Sequence, residues 1–276
     1  MYRIAVAVIT MVSLLSTGTA HARPGVPHRP CVSAYDSAVL QDGPVAFWRL
    51  SQPGSSSEAA VVGGLTGTYA GTRTATTLPN GEPATAFDGA TGYFEVADNA
   101  KLSPATTGEF TLEAWMRPDT LEFPHTQGSG YVHWMGKGET GQHEYVARMY
   151  SLTNTENRPN RISGYLFNNT GGLGAGSYFQ DAITAGTWIH YVLVINANAK
   201  STAYPNGYTK IYRDGVLRDQ DDLSISGTVI VPTDGTAPFR VGTRDFLSYF
   251  QGAAGKVAVY NEELPAARIA AHHAAM

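Results

Sequence analysis

The chain of 276 residues has a single cysteine, Cys31. One thiol excludes an intramolecular disulfide framework, so a hydrophobic core has to hold the fold together. Charge is also scarce. Asp, Glu, Lys and Arg make up 15 % of the residues, against about 25 % in ordinary soluble domains. The formal net charge is −4. There is no basic run, no Cys/His finger spacing and no RNP-like segment, which excludes nucleic acid as a partner. The HExxH spacing of zinc proteases and the GxSxG nucleophile elbow are both missing. Beyond the first residues no apolar run is long enough to cross a bilayer, so membrane insertion is not expected.

The N-terminus has the pattern of a secretory leader over residues 1–22. Arg3 supplies its charge, Ile4 to Leu15 its short apolar stretch, and Ala20-His21-Ala22 a small-x-small cleavage site. The expected product is secreted and extracellular. Residues 23–38, with Pro24, Pro27 and Pro30, read as a flexible arm. Cys31 lies there as an idle thiol or a link to another chain. The rest, 39–276, reads as one domain.

That domain is a series of short β-prone runs fenced by Gly, Pro, Asn and Asp. They include Thr85–Phe87, Tyr93–Val96, Phe110–Arg117, Tyr131–Met135, Tyr145–Ser151 and Ile162–Phe167. Further on come Trp188–Asn196, Thr209–Arg213, Phe239–Thr243 and Gly255–Tyr260. Asp214-Gly215 between two apolar pairs marks a hairpin, because both turn positions need positive φ. Only Leu264 to Ala275 has helical composition. Many short strands without a βαβ rhythm predict an all-β, two-sheet antiparallel sandwich with a short C-terminal helix. In FTLEAWMR, Phe110, Leu112, Ala114 and Met116 share the face expected in the core. Thr111, Glu113, Trp115 and Arg117 share the face expected toward solvent or a concave surface.

Six blocks of sequence resemble the laminin-G-like, concanavalin A-like jelly-roll family of secreted bacterial proteins. They are AFDGATGYFEV (86–96), FTLEAWMRP (110–118), TWIHYVLV (187–194), IYRDGVLRD (211–219), FRVGTRD (239–245) and GKVAVYNEELPAARIAAH (255–272). The resemblance implies a jelly roll. That fold hosts lectins, adhesion modules, glycosidases and lyases, so function has to be argued from the site.

The segment from Tyr145 to Asp181 carries the candidate site. By strand alternation Arg148 and Tyr150 share one face, opposite Ala147 and Met149. Arg161, Ser163, Tyr165 and Phe167 alternate against Ile162, Gly164 and Leu166. Gly171 to Gly176 reads as a hinge before Tyr178, Gln180 and Asp181. Arg244 and Asp245 are expected from a neighbouring strand end. Tyrosine rings stack on the apolar face of a pyranose, and Arg, Gln and Asp hydrogen-bond hydroxyls or a carboxylate. The expected ligand is therefore a polysaccharide or glycoconjugate, bound at an Arg/Tyr-lined concave face in the manner of a lectin.

Two other readings stay open: a polysaccharide lyase or glycoside hydrolase using the same groove, and an adhesion module for a protein partner. No catalytic residue is assigned. The Glu-x-Asp-x-Glu strand of jelly-roll glucanases does not occur, and no carboxylate pair can be set at glycosidase spacing. His125, His133 and His143 lack metal-ligand spacing and read as surface or core residues. His190 reads as packing, and His272-His273 as a solvated tail. No cofactor is implied. Where the family often places acids for calcium, this chain has Gln52 and Gly255-Lys256, which leaves Asp88, Asp98 and backbone carbonyls as donors for a weak calcium site.

Overall fold

The computed structural model describes Met1 and residues 32–169 and 172–276. The leader and the first part of the arm, including Cys31, lie outside the described residues. From Ser33 to Met276 the chain forms one compact unit. Helix α1 (Ala34–Gln41) comes first, then strands β1 (Ala46–Trp48), β2 (Ser57–Ala59), β3 (Thr66–Ala70) and β4 (Arg73–Thr77). Next are β5 (Pro83–Asp88), β6 (Tyr93–Val96), β7 (Glu109–Pro118), β8 (Tyr131–Glu139) and β9 (Gln142–Tyr150). They are followed by β10 (Arg161–Phe167), β11 (Gly174–Gln180), β12 (Ile189–Asn196), β13 (Tyr208–Arg213) and β14 (Val216–Asp222). The chain closes with β15 (Ser224–Ile225), β16 (Thr228–Val229), β17 (Phe239–Val241), β18 (Gln251–Tyr260) and helix α2 (Ala266–Ala274).

Two eight-stranded antiparallel sheets make the sandwich. The back sheet runs β14-β13-β12-β7-β18-β5-β4, with β1 also on β18; the front sheet runs β11-β10-β9-β8-β17-β6-β3-β2. Alternation places Phe110, Leu112, Ala114 and Met116 between the sheets, against Trp134, Tyr145, Ala147, Met149, Ile162 and Leu166 of the front sheet. In β8 a bulge between His133 and Met135 lets Trp134 and Met135 both turn inward. The Asp214-Gly215 hairpin forms as expected, with φ of 53° and 78°.

The back sheet is covered on its second face as well. There Tyr35, Val39, Trp115, Val192, Tyr212, Tyr260 and Ile269 form a further buried cluster beneath α1 and α2. Three expectations are corrected here. Residues Ala34 to Ala38 belong to α1, not to a loose arm: Ser33 Oγ caps the helix at Asp36 N (3.1 Å), and Tyr35 and Asp36 are buried. Glu113 and Trp115 face neither solvent nor a concave surface, because the helices cover them. His272 is no solvated tail. It is fully buried, with Nδ1 2.9 Å from Glu113 Oε2 and Nε2 2.8 Å from Asp42 Oδ2. Glu113 Oε1 also accepts from Tyr35 Oη (2.6 Å) and meets His190 Nε2 at 2.8 Å. This polar network fastens both helices to the back sheet. The front sheet keeps its outer face without a covering helix among the described residues, and the candidate site lies there.

Candidate functional site

The strand register assembles the site row by row. His133 of β8 pairs with Arg148 of β9, Arg148 with Ser163 of β10, and Ser163 with Tyr178 of β11. Directly paired residues share a face, so these four side chains form one stripe across the outer front sheet. Tyr131 pairs with Tyr150, Arg161 with Gln180, and Tyr165 with Gly176. The alternation expected for β9 and β10 is thus the one observed.

Exposure differs from what was expected. Arg148 and Arg161 are 9 % and 6 % exposed, so they do not stand free in an open hollow. Tyrosines cover them. Arg148 Cζ lies 4.3 Å from the Tyr165 ring centroid, 4.5 Å from Tyr131 and 5.2 Å from Tyr150. Its Nε reaches the Ser163 hydroxyl at 3.4 Å. Arg161 Cζ stands 3.4 Å from the centroid of Tyr178 and 5.4 Å from that of Tyr150. Cation–π contacts of this kind are worth about 0.5–2 kcal/mol each, more as water is excluded. Tyr178 is 41 % exposed and Tyr165 half-buried, so the rings present outward what the guanidiniums support from beneath. Gly174 to Gly176, expected in a hinge, belong instead to β11, where they pair with β10. A Cβ on Gly176 would meet the Gly164 carbonyl oxygen at 2.1 Å.

Beside this platform lies a cleft of about 320 Å³, lined by Arg161, Tyr165, Gly176, Tyr178, Asp221 and Ile225 among others. Burial, then the neighbouring Asp219 charge and a hydrogen bond with it, push the Asp221 carboxyl up to about 6. Asp219 itself accepts the Tyr178 N–H at 2.8 Å, which draws β14 against β11. Asp221 was not singled out in the sequence. It sits past the bulge of β14, where alternation is interrupted.

Arg244 and Asp245 arrive from the turn after β17. Thr243 Oγ1 accepts the Phe246 N–H (3.0 Å) and donates to the Ser248 carbonyl (2.7 Å), while Ser248 Oγ accepts the His133 N–H (2.9 Å). This turn holds Phe246 at a φ of 64° and sends the Arg244 side chain over the sheet, with Cζ 5.3 Å from the Phe167 ring. Arg244 Nη2 pairs with Asp245 Oδ2 at 2.6 Å. His133 Nδ1 is 3.8 Å from the same oxygen, too far for a hydrogen bond. Burial, then the charges of Arg244 and Arg148, bring the His133 pKa down to about 3, so its imidazole is neutral at physiological pH. Against the opposing effect of burial, the paired Arg244 guanidinium holds the Asp245 carboxyl well below its usual range. His133 and its stacked neighbour Tyr131 were missed as site residues, although the alternation of Tyr131 and His133 in their strand was there to read.

Tyr150 is 1 % exposed, so it backs the two arginines from within and cannot stack on a sugar as expected, and one residue leaves the set altogether. Asp181 does not line the platform; it pairs with Arg213 (3.2 Å) and Arg218 (2.6 Å) at the back sheet's edge. Gln180 is exposed opposite Arg161. The suggested calcium donors are already engaged. Asp88 Oδ1 accepts three backbone N–H groups, from Ala90, Thr91 and Gly92, and Asp98 pairs with Lys137 at 2.8 Å. Among the described residues no group of three His, Cys, Asp or Glu side chains is arranged to hold a metal. Lys256, where an acid was sought, puts its ammonium 2.5 Å from Asp36 and 3.0 Å from Glu82.

Comparison with known proteins agrees with this architecture. The family model of the concanavalin A-like lectin/glucanases superfamily, laminin-G type, matches residues 88–270. The chain belongs to this superfamily. No curated protein matches it in sequence. Among solved structures it is similar to domain 4 of AbnA, a GH43 extracellular arabinanase of Geobacillus stearothermophilus, solved with arabinotriose. The TM-score is 0.59 at 14 % identity, over 83 % of this chain and 98 % of that one. It is also similar to the binding domain of botulinum neurotoxin DC in complex with SialylT: TM-score 0.60, 12 % identity, 86 % of this chain and 52 % of that one. The receptor-binding domain of botulinum neurotoxin type G gives 0.57 at 10 % identity, over 84 % and 51 %. The chain thus spans about half the length of the neurotoxin domains it matches. Identities this low show a shared fold.

Proposed function

We propose that this protein is an exported carbohydrate-binding domain that takes a polysaccharide or glycoconjugate on the outer face of its front sheet. The observation that carries the reading is Tyr178: a half-open ring, backed at 3.4 Å by a buried guanidinium, at the edge of a cleft that also holds carboxyl groups. An aromatic face beside paired hydrogen-bonding groups is what a sugar ring needs, with its apolar face on the tyrosine and its hydroxyls on Arg161, Gln180 and Asp221. The arabinanase domain solved with arabinotriose and the neurotoxin domain solved with SialylT support it as similar folds with sugar ligands. Export rests on the leader pattern of residues 1–22. Affinity gel electrophoresis against a panel of neutral and acidic polysaccharides tests the reading. Retardation by at least one polymer is expected, weakened about tenfold in Tyr178→Ala, the equivalent of about 1.4 kcal/mol. Retardation by none, or equal retardation of the variant, would refute it.

One observation favours a second reading. His133 is a neutral imidazole with both nitrogens unpaired, among guanidiniums that suit a uronate carboxylate. In a lyase it would take the proton α to that carboxylate, the freed electron pair would form a carbon–carbon double bond as the bond to the leaving oxygen breaks, and the proton would pass on to that oxygen. Ultraviolet absorbance by unsaturated product, lost in His133→Ala, would establish this reading; intact polymer after long incubation would dismiss it.

A further inference from the structure

The front sheet gathers positive charge and then leaves it unanswered. Arg244 is 2 % exposed, and its Nε and Nη1 have no hydrogen-bond partner. Both ring nitrogens of His133, 3 % exposed, are equally unpaired, as is Arg161 Nε. Arg148 makes one long contact, to a neutral hydroxyl. Buried donors left without acceptors are unfavourable, by about 1–3 kcal/mol each and more when charged. The carboxylates at hand do not balance the cations. Asp245 answers Arg244, and Glu156 answers Arg158 at 2.7 Å. Among the described residues none lies within ion-pair distance of Arg148 or Arg161. Apart from Arg161, which shares its cleft with Asp221, the three guanidiniums of Arg148, Arg158 and Arg244 therefore face two paired carboxylates, in a chain whose overall charge is −4. The local excess is opposite in sign to the molecule.

Placement argues against a purely structural use of this charge. A structural arginine in a sandwich meets an acid, as Arg240 of the same sheet does with Glu95 (2.5 Å) and Glu139 (2.6 Å). Arg148 meets no acid, and its strand partner His133 stands 3.8 Å from the same Asp245 oxygen that Arg244 pairs with, which brings both guanidiniums to one imidazole. Tyr131, Tyr165 and Phe167, each only half-buried, stand around them. An anion entering such a cluster would stabilise it.

Building on the carbohydrate reading, we infer that the ligand is an anionic glycan, and that its carboxylate or sulfate group is held by Arg148 and Arg244 over His133. The sugar carrying that group would lie toward Tyr165 and Tyr178, in line with the stripe that the register draws across β8 to β11. Neutral His133 contributes an N–H without adding a third charge, and its other nitrogen tolerates a protonated or hydroxylic neighbour.

The test pairs each acidic polymer with its neutral counterpart. Polygalacturonate, alginate and hyaluronate are compared with their carboxyl-reduced forms, and dextran sulfate with dextran, by affinity electrophoresis and calorimetry. The charged member of one pair is expected to bind about tenfold tighter or more, with affinity falling as salt is raised. A carboxylate ligand shows the preference in a uronate pair, and a sulfate ester shows it in the dextran pair. In Arg244→Gln and in Arg148→Gln the ratio within that pair falls to about one. Equal binding of charged and neutral forms overturns the anion site and leaves carbohydrate recognition standing; no binding of any polymer removes both. To separate binding from folding in either variant, a second measurement uses sodium sulfate alone. At matched ionic strength against chloride it should raise the melting temperature of the wild type by on the order of 3 °C more than that of Arg148→Gln. An equal rise in both proteins overturns the site as well.

Discussion

Replacing Glu113 by glutamine keeps the size of a fully buried side chain and removes its charge. In the wild type the carboxylate meets four groups: Tyr35 Oη at 2.6 Å, His190 Nε2 at 2.8 Å, His272 Nδ1 at 2.9 Å and Tyr260 Oη at 3.3 Å. An amide offers one acceptor oxygen in place of two, and its NH₂ would face groups that need an acceptor. Removing one partner of a buried ion pair costs about 3–5 kcal/mol. Since the amide still serves part of the network, the lower end applies, about 3 kcal/mol. For a domain of this size that corresponds to a fall in Tm of about 6–12 °C. The size of the effect should depend on pH. His272 has a raised pKa: burial lowers it, but the hydrogen bond and charge of Glu113, then Asp42, outweigh burial. Its contribution is present below 6.5 and is lost as pH rises through the folded value. Glu113 has a depressed pKa: burial raises it, and His190 and His272 outweigh burial. Its contribution is present above 4.5 and is lost as pH falls through the folded value. Both act between 4.5 and 6.5, where Glu113→Gln should cost most. Thermal melting across pH measures this, and hydrogen exchange should show the amides of α2 losing protection first. A Tm within about 2 °C of wild type throughout that range would refute the argument that this charge fastens the helices.

Three further outcomes follow from other parts of the molecule. Lys256→Met strips the buried ammonium from Asp36 and Glu82 and should lower unfolding free energy by about 3 kcal/mol in urea titration, whereas an unchanged midpoint would show the pair to be neutral. Asp221 has its carboxyl pushed up to about 6, so the fold opposes its ionisation and wild-type stability should fall as pH rises from 3.8 through 6. Asp221→Asn should melt higher than wild type at neutral pH and lack that slope; identical pH profiles would contradict it. Gly176→Ala should distort the pairing of β10 with β11, because its Cβ would overlap the Gly164 carbonyl, and cost about 2–3 kcal/mol along with glycan affinity. A variant as stable as the wild type would show that β11 yields easily.

The front sheet was readable because strand alternation is a local rule. Arg148 with Tyr150, and Arg161 with Ser163, Tyr165 and Phe167, fall on one face once the strands are placed, and FTLEAWMR gives its core face in the same way. What covers a face is set by contacts between distant segments, and sequence pattern does not show these. Glu113 and Trp115 alternate like exposed residues, yet α1 and α2 close over them from opposite ends of the chain. His272-His273 looked like a polar tail because its partners, Glu113 and Asp42, are 159 and 230 positions away. Asp181 lies one residue past β11 and off the alternation of Tyr178 and Gln180, where Arg213 and Arg218 claim it. The platform arginines lost their expected exposure for a related reason: long tyrosine side chains from neighbouring strands fold over them, and alternation gives a direction without a depth.

The central claim is that sugar is bound on the outer front sheet. The most direct measurement is a crystal structure with an oligosaccharide taken from a polymer that retards the protein. A pyranose ring stacked on Tyr178 beside Arg161 is the expected result. The contradicting one is sugar seated elsewhere, such as the groove of about 420 Å³ lined by Thr106, Thr107, Asn198, Val231 and Pro232, with the Tyr178 face left bare.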